Sequence, residues 1–139
     1  MNNVSRFEVG QSASLSKSIQ QRDIEIFAQL SGDDNPIHLD EEYAMGTRFG
    51  GRIAHGMLVA GLISAVLGTK LPGKGAIYLS QELKFRGPVR PGDTLTAKVE
   101  IIEWDEEKSR MTLTTEVSNQ NEDVVIMGTA KMLVEAQPN

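Results

Sequence analysis

Residues 53–69 read IAHGMLVAGLISAVLGT, and the rest of the chain is organised around them. The stretch carries no acidic or basic side chain other than His55. On a helical wheel its apolar residues fall on every side, so a helix here has no wet face. Such a helix is either a core helix or a membrane span. A span needs about 20 consecutive apolar residues, whereas this run is short and interrupted by Gly56, Gly61, Ser64 and Gly68. Its flanks are polar and, downstream, strand-like. The stretch is read as a helix buried on nearly all sides, which requires other segments to wrap it.

The wrapper lies downstream. After Leu71-Pro72-Gly73 the apolar period changes from helical to two. Ile77, Leu79, Leu83 and Phe85 alternate with polar residues, and so do Leu95, Ala97, Val99 and Ile101, and then Met111, Leu113, Thr115 and Val117. A fourth run covers residues 124–134. Alternation over such lengths marks half-buried strands. Residues 105–109 and 118–123 are polar connectors of hairpin length. The expected architecture is α+β, an antiparallel sheet whose apolar face wraps one long helix.

Upstream, residues 12–19 alternate weakly and suggest a strand. Residues 21–30 place Ile24, Phe27 and Ala28 at helical spacing, with Gln20 or Ser18 as a poor N-cap and Gly32 as the stop. The stretch DDNPIHLD follows, residues 33–40. Asn35-Pro36 is turn chemistry, so Asp33 and His38 are expected on a kinked loop. Asp40 is positioned to cap a short helix over 41–45.

The 139 residues suit one domain with a real core. Charged residues are 24% and hydrophobic ones 40%, ordinary for a soluble protein. A net charge of −5 makes nucleic acid or an anionic membrane a poor partner. With no cysteine there is no disulfide framework, thiolate metal site or cysteine nucleophile. Residues 1–20 lack the apolar core of a signal peptide, so a cytoplasm-like location is expected.

Chemistry has few places to sit, because there are only two histidines. Asp33 and His38 could meet across the Asn-Pro kink and share a water as a general acid/base unit. Read alone, this spacing more often gives a turn cap and a surface histidine. His55 reads more readily as a histidine packed at a helix mouth than as an acid or base. Gly56 opens the long helix, where free N–H groups and the helix dipole favour negative charge. A glycine there admits a ligand oxygen, as an oxyanion hole requires; a tight turn explains it equally well. Gly56, Ala60, Ser64 and Gly68 recur every fourth residue, a pattern that usually means close packing, although Ser64 could bond a loop carboxylate such as Asp33. Arg48, Arg52, Lys84, Arg86 and Arg90 lie in or near loops and could meet phosphates, though a solvated face explains them as well. No phosphate-binding loop, dinucleotide fingerprint, metal triad or nucleophile elbow is present.

Taken together, LSGDDNPIHLD, IAHGMLVAGLIS and PVRPGD carry a resemblance. The chain resembles the MaoC-like dehydratases, and among them the single-domain (R)-specific enoyl-CoA hydratases, over nearly its whole length. An Asp-x-Asn-Pro-x-His loop followed by a His-Gly-Met helix start is not a generic combination. The resemblance implies a hot-dog fold, a homodimer, an acyl-CoA substrate and no cofactor. It implies that Asp33 and His38 are the catalytic pair, that Gly56 supplies the oxyanion hole, that Ser64 supports the site from the helix, and that Asn35 shapes the loop. Asp34 departs from the pattern, standing where many relatives have a hydrophobic, aromatic or small residue. Its carboxylate either interacts with Asp33 or faces water, which leaves open whether Asp33 alone is the base.

The alternatives are a 3-hydroxyacyl dehydratase acting on acyl carrier protein, a hot-dog thioesterase, and a non-catalytic acyl-thioester-binding module. Thioesterases of this fold commonly place a carboxylate on or at the central helix, and residues 57–69 have none. A binding module has no need of Asp33 and His38.

Overall fold

The computed structural model describes residues 6–135; residues 1–5 of the expected leader-free start and 136–139 of the expected 1–139 domain lie outside the described residues. Five strands form one antiparallel sheet in the order β1-β3-β4-β5-β2. They are β1 (Ser12–Ser18), β2 (Ile77–Phe85), β3 (Thr94–Asp105), β4 (Arg110–Ser118) and β5 (Val124–Leu133). The long helix α4 (Gly56–Thr69) packs against β3, β4 and β1. Three shorter helices precede it, α1 (Gln21–Ser31), α2 (Pro36–Leu39) and α3 (Glu41–Met45). This is the sheet-around-helix arrangement of the hot-dog fold.

The core follows from period-two burial. Leu95, Ala97, Val99 and Ile101 of β3 are buried, as are Met111, Leu113 and Val117 of β4. The register sets Ala97 opposite Val117 and Ile101 opposite Leu113, so like faces coincide. Val59, Ile63, Val66 and Leu67 of α4 complete the layer. Each fully buried side chain of this size contributes about 1.5–3 kcal/mol relative to exposure.

Local signals set the ends. Gly32 takes a left-handed φ of 85° and donates to the Ala28 carbonyl at 2.9 Å, closing α1. At the other end the Gln20 N–H donates to Asp23 at 2.8 Å, so this N-terminus is better held than Gln20 alone suggests. Asp40 caps α3 by accepting from the Tyr43 N–H at 3.1 Å.

Three expectations need correction. His38 does not lie on a loop but on α2, a single helical turn. Asn35 is its N-cap, accepting from the Ile37 N–H at 3.2 Å, and Pro36 is its first residue. Asn before Pro is a helix-start signal as well as a turn signal. Second, α4 is not buried on nearly all sides. Met57 is 60% exposed, and Gly61, Ser64 and Gly68 line the same open face. A Cβ built on Gly68 would meet nothing within 4 Å, whereas Ala60 is buried and a Cβ on Gly56 would meet Phe85, so close packing inside this chain explains only the first half of the small stripe. Third, β2 is an edge strand whose Ile77, Leu79 and Phe85 stay exposed despite their alternation. A register shift between Tyr78 and Ser80 also breaks its period. Among the described residues no helix is long and apolar enough to cross a membrane.

Candidate active site

The site forms where the segment ahead of α4 is stitched to the turn after α1. That turn is held by its own side chains. The Asp33 N–H donates to Ser31 Oγ at 3.1 Å, and the Asn35 N–H donates to Asp33 Oδ1 at 3.3 Å. Asn35 then caps α2 and accepts the His38 N–H on its carbonyl at 3.0 Å. Gln21 of α1 donates to the His38 carbonyl at 2.9 Å. The result is a short hook that presents Asp33 and His38 from its two ends.

Residues 53–55 close the hook. The Ile53 N–H donates to the Ile37 carbonyl at 3.3 Å, and the Ile53 carbonyl accepts from His38 Nδ1 at 2.7 Å. The Ala54 N–H donates to the Val89 carbonyl at 2.7 Å, which brings in the loop after β2. His55 Nε2 donates to the Asp33 carbonyl at 2.9 Å. A carbonyl can only accept, so His38 carries a hydrogen on Nδ1 and His55 carries one on Nε2. The nitrogen of His38 left for proton chemistry is Nε2.

The two imidazoles stack, with centroids 3.8 Å apart and planes 29° apart. Phe27 of α1 also packs against this cluster, its ring centroid 4.7 Å from that of His55. Asp33, His38 and His55 each bring a ligand-type atom within 4.8 Å of the others. These three are the residues that could hold a metal ion. Ring lone pairs lie in the ring plane, however, and one nitrogen of each stacked ring is already given to a backbone carbonyl. The arrangement suits a shared proton or water better than a chelate.

A cleft of about 590 Å³ opens over this cluster. Asp33, His38 and His55 line its polar end, and Val59, Val89 and Ile126 line an apolar part. Gly56 lies between, at the start of α4. The first backbone N–H groups of a helix lack helical partners, and His55 offers no side-chain cap to them. A Cβ on Gly56 would come 2.6 Å from Phe85 Cε1. The glycine is therefore what lets the Phe85 ring lie against the helix start. Arg48 and Arg86 also border the cleft. Arg86 meets Met127 Sδ and Arg48 the Phe49 ring; neither has a carboxylate partner among the described residues.

Of the residues singled out from sequence, Asp33, His38 and Gly56 converge on this cleft, and Asn35 holds the hook from outside it. Ser64 does not join them. It sits eight residues beyond Gly56, about 12 Å along the axis, on the open face of α4. Among the described residues its hydroxyl has no partner, so the expected bond to Asp33 is not made within this chain. Shared helical face is not shared height. Asp34 does not line this cleft and instead borders a separate depression with Arg22 and Glu25. His55 is the residue that sequence reading undervalued. Its place before the glycine of a helix start was visible, but the acceptor it holds, the Asp33 carbonyl, lies twenty-two residues away.

Residues 4–124 match the MaoC-like domain family. An (R)-specific enoyl-CoA hydratase of Rhodospirillum rubrum is 55% identical over 92% of this chain and 88% of its own length. A 3-hydroxybutyryl-CoA dehydratase of Methylorubrum extorquens is 51% identical over 91% of this chain and 80% of its own. The solved structure of the (R)-hydratase from A. caviae involved in PHA biosynthesis superposes with a TM-score of 0.91 at 45% identity, covering 95% of this chain and all of that one. With its sheet wrapped on α4 and its Asp-x-Asn-Pro-x-His hook closed over the helix start, the chain belongs to the MaoC-like domain family.

Proposed function

We propose that this protein is an (R)-specific enoyl-CoA hydratase, adding water across the double bond of a trans-2-enoyl-CoA and, in reverse, dehydrating an (R)-3-hydroxyacyl-CoA. The observation that carries the reading is the convergence of Asp33 and His38 in a cleft that also contains the uncapped start of α4. Relatives named for this reaction at about half identity support it.

The chemistry follows from the groups present. A water held between the Asp33 carboxylate and His38 Nε2 attacks C3 of the enoyl group. Asp33 takes its proton while His38 orients the oxygen and relays a proton toward C2. Negative charge moves onto the thioester oxygen as the C3–O bond forms. The Gly56 N–H, at the positive end of a fourteen-residue helix, offers that oxygen a donor that strengthens as charge develops. C2 then receives the proton that Asp33 took, passed on through His38 Nε2, so one water is added and both side chains return to their starting states. Val59, Val89 and Ile126 suit an acyl chain. Arg48 and Arg86 at the rim suit the phosphates of coenzyme A, against the grain of the net charge.

A homodimer is part of the proposal. The open face of α4 and the exposed apolar residues of edge strand β2 leave unmanaged surface on one chain. A second copy would cover both and border the cleft mouth, where Phe85 and Met57 lie. Light scattering at micromolar concentration checks this; a fully active monomer would contradict it. The expected working compartment is cytoplasmic, where fractionation should find the activity.

The deciding experiment incubates the protein with crotonyl-CoA and follows the enoyl-thioester absorbance, with chiral analysis of the product. Formation of (R)-3-hydroxybutyryl-CoA is expected. Release of free coenzyme A would instead indicate a thioesterase. Turnover only of the acyl carrier protein thioester would move the substrate to that carrier.

A further inference from the structure

We propose that His55 is a positioning residue that fixes both members of the Asp33–His38 pair at once. The proposal rests on the hydratase reading for its kinetic consequences but not for its structural ones.

His55 is only 2% exposed, yet it is not an inert core residue. One ring nitrogen, Nε2, donates to the Asp33 carbonyl. One ring face supports His38. The other nitrogen, Nδ1, is buried with no hydrogen-bond partner among the described residues. A buried polar atom without a partner is unfavourable. The surroundings would accept an apolar ring, since Phe27 packs beside it. A phenylalanine would fill the space and remove the unpaired nitrogen. What it could not supply is the N–H that holds the Asp33 carbonyl. The identity of this residue is thus set by that donor, not by packing.

The geometry shows what the donor controls. Asp33 sits in a turn whose other ties are local: Ser31 Oγ to its N–H, and its own Oδ1 to the Asn35 N–H. The His55 bond spans twenty-two residues and connects this turn to the start of α4. His55 is also the N-cap of α4 and accepts the Val59 N–H on its carbonyl at 3.2 Å. One residue therefore sets the Asp33 carboxylate, the His38 ring and the Gly56 N–H relative to each other. Pre-set geometry of this kind acts on turnover more than on affinity.

Three variants separate the donor from the packing. Gln places an amide N–H at the reach of Nε2, Asn places one only at the reach of Nδ1, and Phe keeps the ring without a donor. In His55→Phe we expect kcat on crotonyl-CoA to fall roughly 10- to 100-fold, with KM changed less than about threefold and Tm equal to or above that of the parent. His55→Gln should recover most of kcat, and His55→Asn should not. Retention of kcat within twofold in His55→Phe would overturn the proposal, as would a His55→Gln no more active than His55→Phe. Amide hydrogen exchange supplies an arm independent of turnover. Exchange at Asn35 and Ile37, whose N–H groups are held by this hook, should speed up about tenfold in His55→Phe and return toward the parent rate in His55→Gln. Unchanged exchange in His55→Phe would also overturn it. If the parent protein fails to hydrate crotonyl-CoA, the hydratase reading falls by itself, and the exchange arm still decides the role of His55.

Discussion

The two ends of α4 differ in kind. At its start, polar groups are tied to each other and to three separate segments: the hook after α1, the residues 53–55, and the loop carrying Val89. Farther along, Gly61, Ser64 and Gly68 face outward with nothing of this chain against them. The first region is complete within one chain. The second is an exposed row of small residues on an otherwise apolar helix. A helix that is apolar all round can thus be buried along one side of its length and open along the other, with its polar contacts gathered at one end.

The largest effects should come from the complete end. Asp33→Asn and His38→Gln each should lower kcat on a short enoyl-CoA by about a hundredfold or more, the range of acid/base groups. In the proposed mechanism both act on one water, so the double variant should be little worse than the poorer single. KM should change much less. Asp34→Asn is the control, since its carboxylate borders a different depression, and it should keep most of the activity. Steady-state kinetics on the four proteins checks this. Near-normal turnover in both single variants, with folding intact, would remove the catalytic role of the hook.

Gly56→Ala tests the boundary between the two regions. The new Cβ would meet the Phe85 ring at 2.6 Å, and that ring is exposed enough to swing away. The N–H is retained, and alanine suits a helix better than glycine. We expect unchanged or slightly raised Tm and a kcat lowered about tenfold through displacement of the ring and the helix start. A twofold change or less would mean that Phe85 has no part in positioning the substrate.

Gly61→Leu tests the open end. In one chain the new Cβ meets nothing within 4 Å and the position is exposed, so the protein should fold, with far-ultraviolet circular dichroism unchanged. If a second copy covers this face, the leucine should push it off, shifting the light-scattering mass toward the monomer and lowering activity a few-fold. A dimer that persists at full activity would place the interface elsewhere, on β2 alone.

Much of this was legible in the sequence, for identifiable reasons. β3 and β4 announce themselves because their alternating residues are buried inside one chain. The spacing of Asp33 and His38 alone favours a turn cap and a surface histidine, and Gly56 alone reads equally as a tight turn; the family resemblance singled them out, and the structure places all three on one cleft. β2 misled because alternation reports a two-faced strand, not its place at the sheet edge. Its Ile77 and Phe85 are as apolar as Leu95, yet exposed. His38 on a helical turn was missed because Asn-Pro was read only as a turn. His55 was undervalued because its importance depends on the carbonyl of Asp33, twenty-two residues away, and no pattern of side chains encodes a backbone acceptor.

The smallest expected effect is at Ser64, which also separates the two regions most cleanly. Helical spacing puts Ser64 on the side of Gly56, but the rise along the axis carries it away from Asp33. The hydroxyl has no partner among the described residues, and alanine is the better helix former by a few tenths of a kcal/mol. Ser64→Ala should therefore leave Tm unchanged or slightly higher and kcat within about threefold of the parent. A tenfold loss of kcat with Tm unchanged would have one structural meaning. The hydroxyl would be acting across the open face, on a site formed with a second subunit. Mixing would then show it: Ser64→Ala and Asp33→Asn chains, each poor alone, should regain activity in a mixed dimer if serine and aspartate come from different copies. Without such recovery, Ser64 would have to act through α4 itself, and the division between the two ends of the helix would fail.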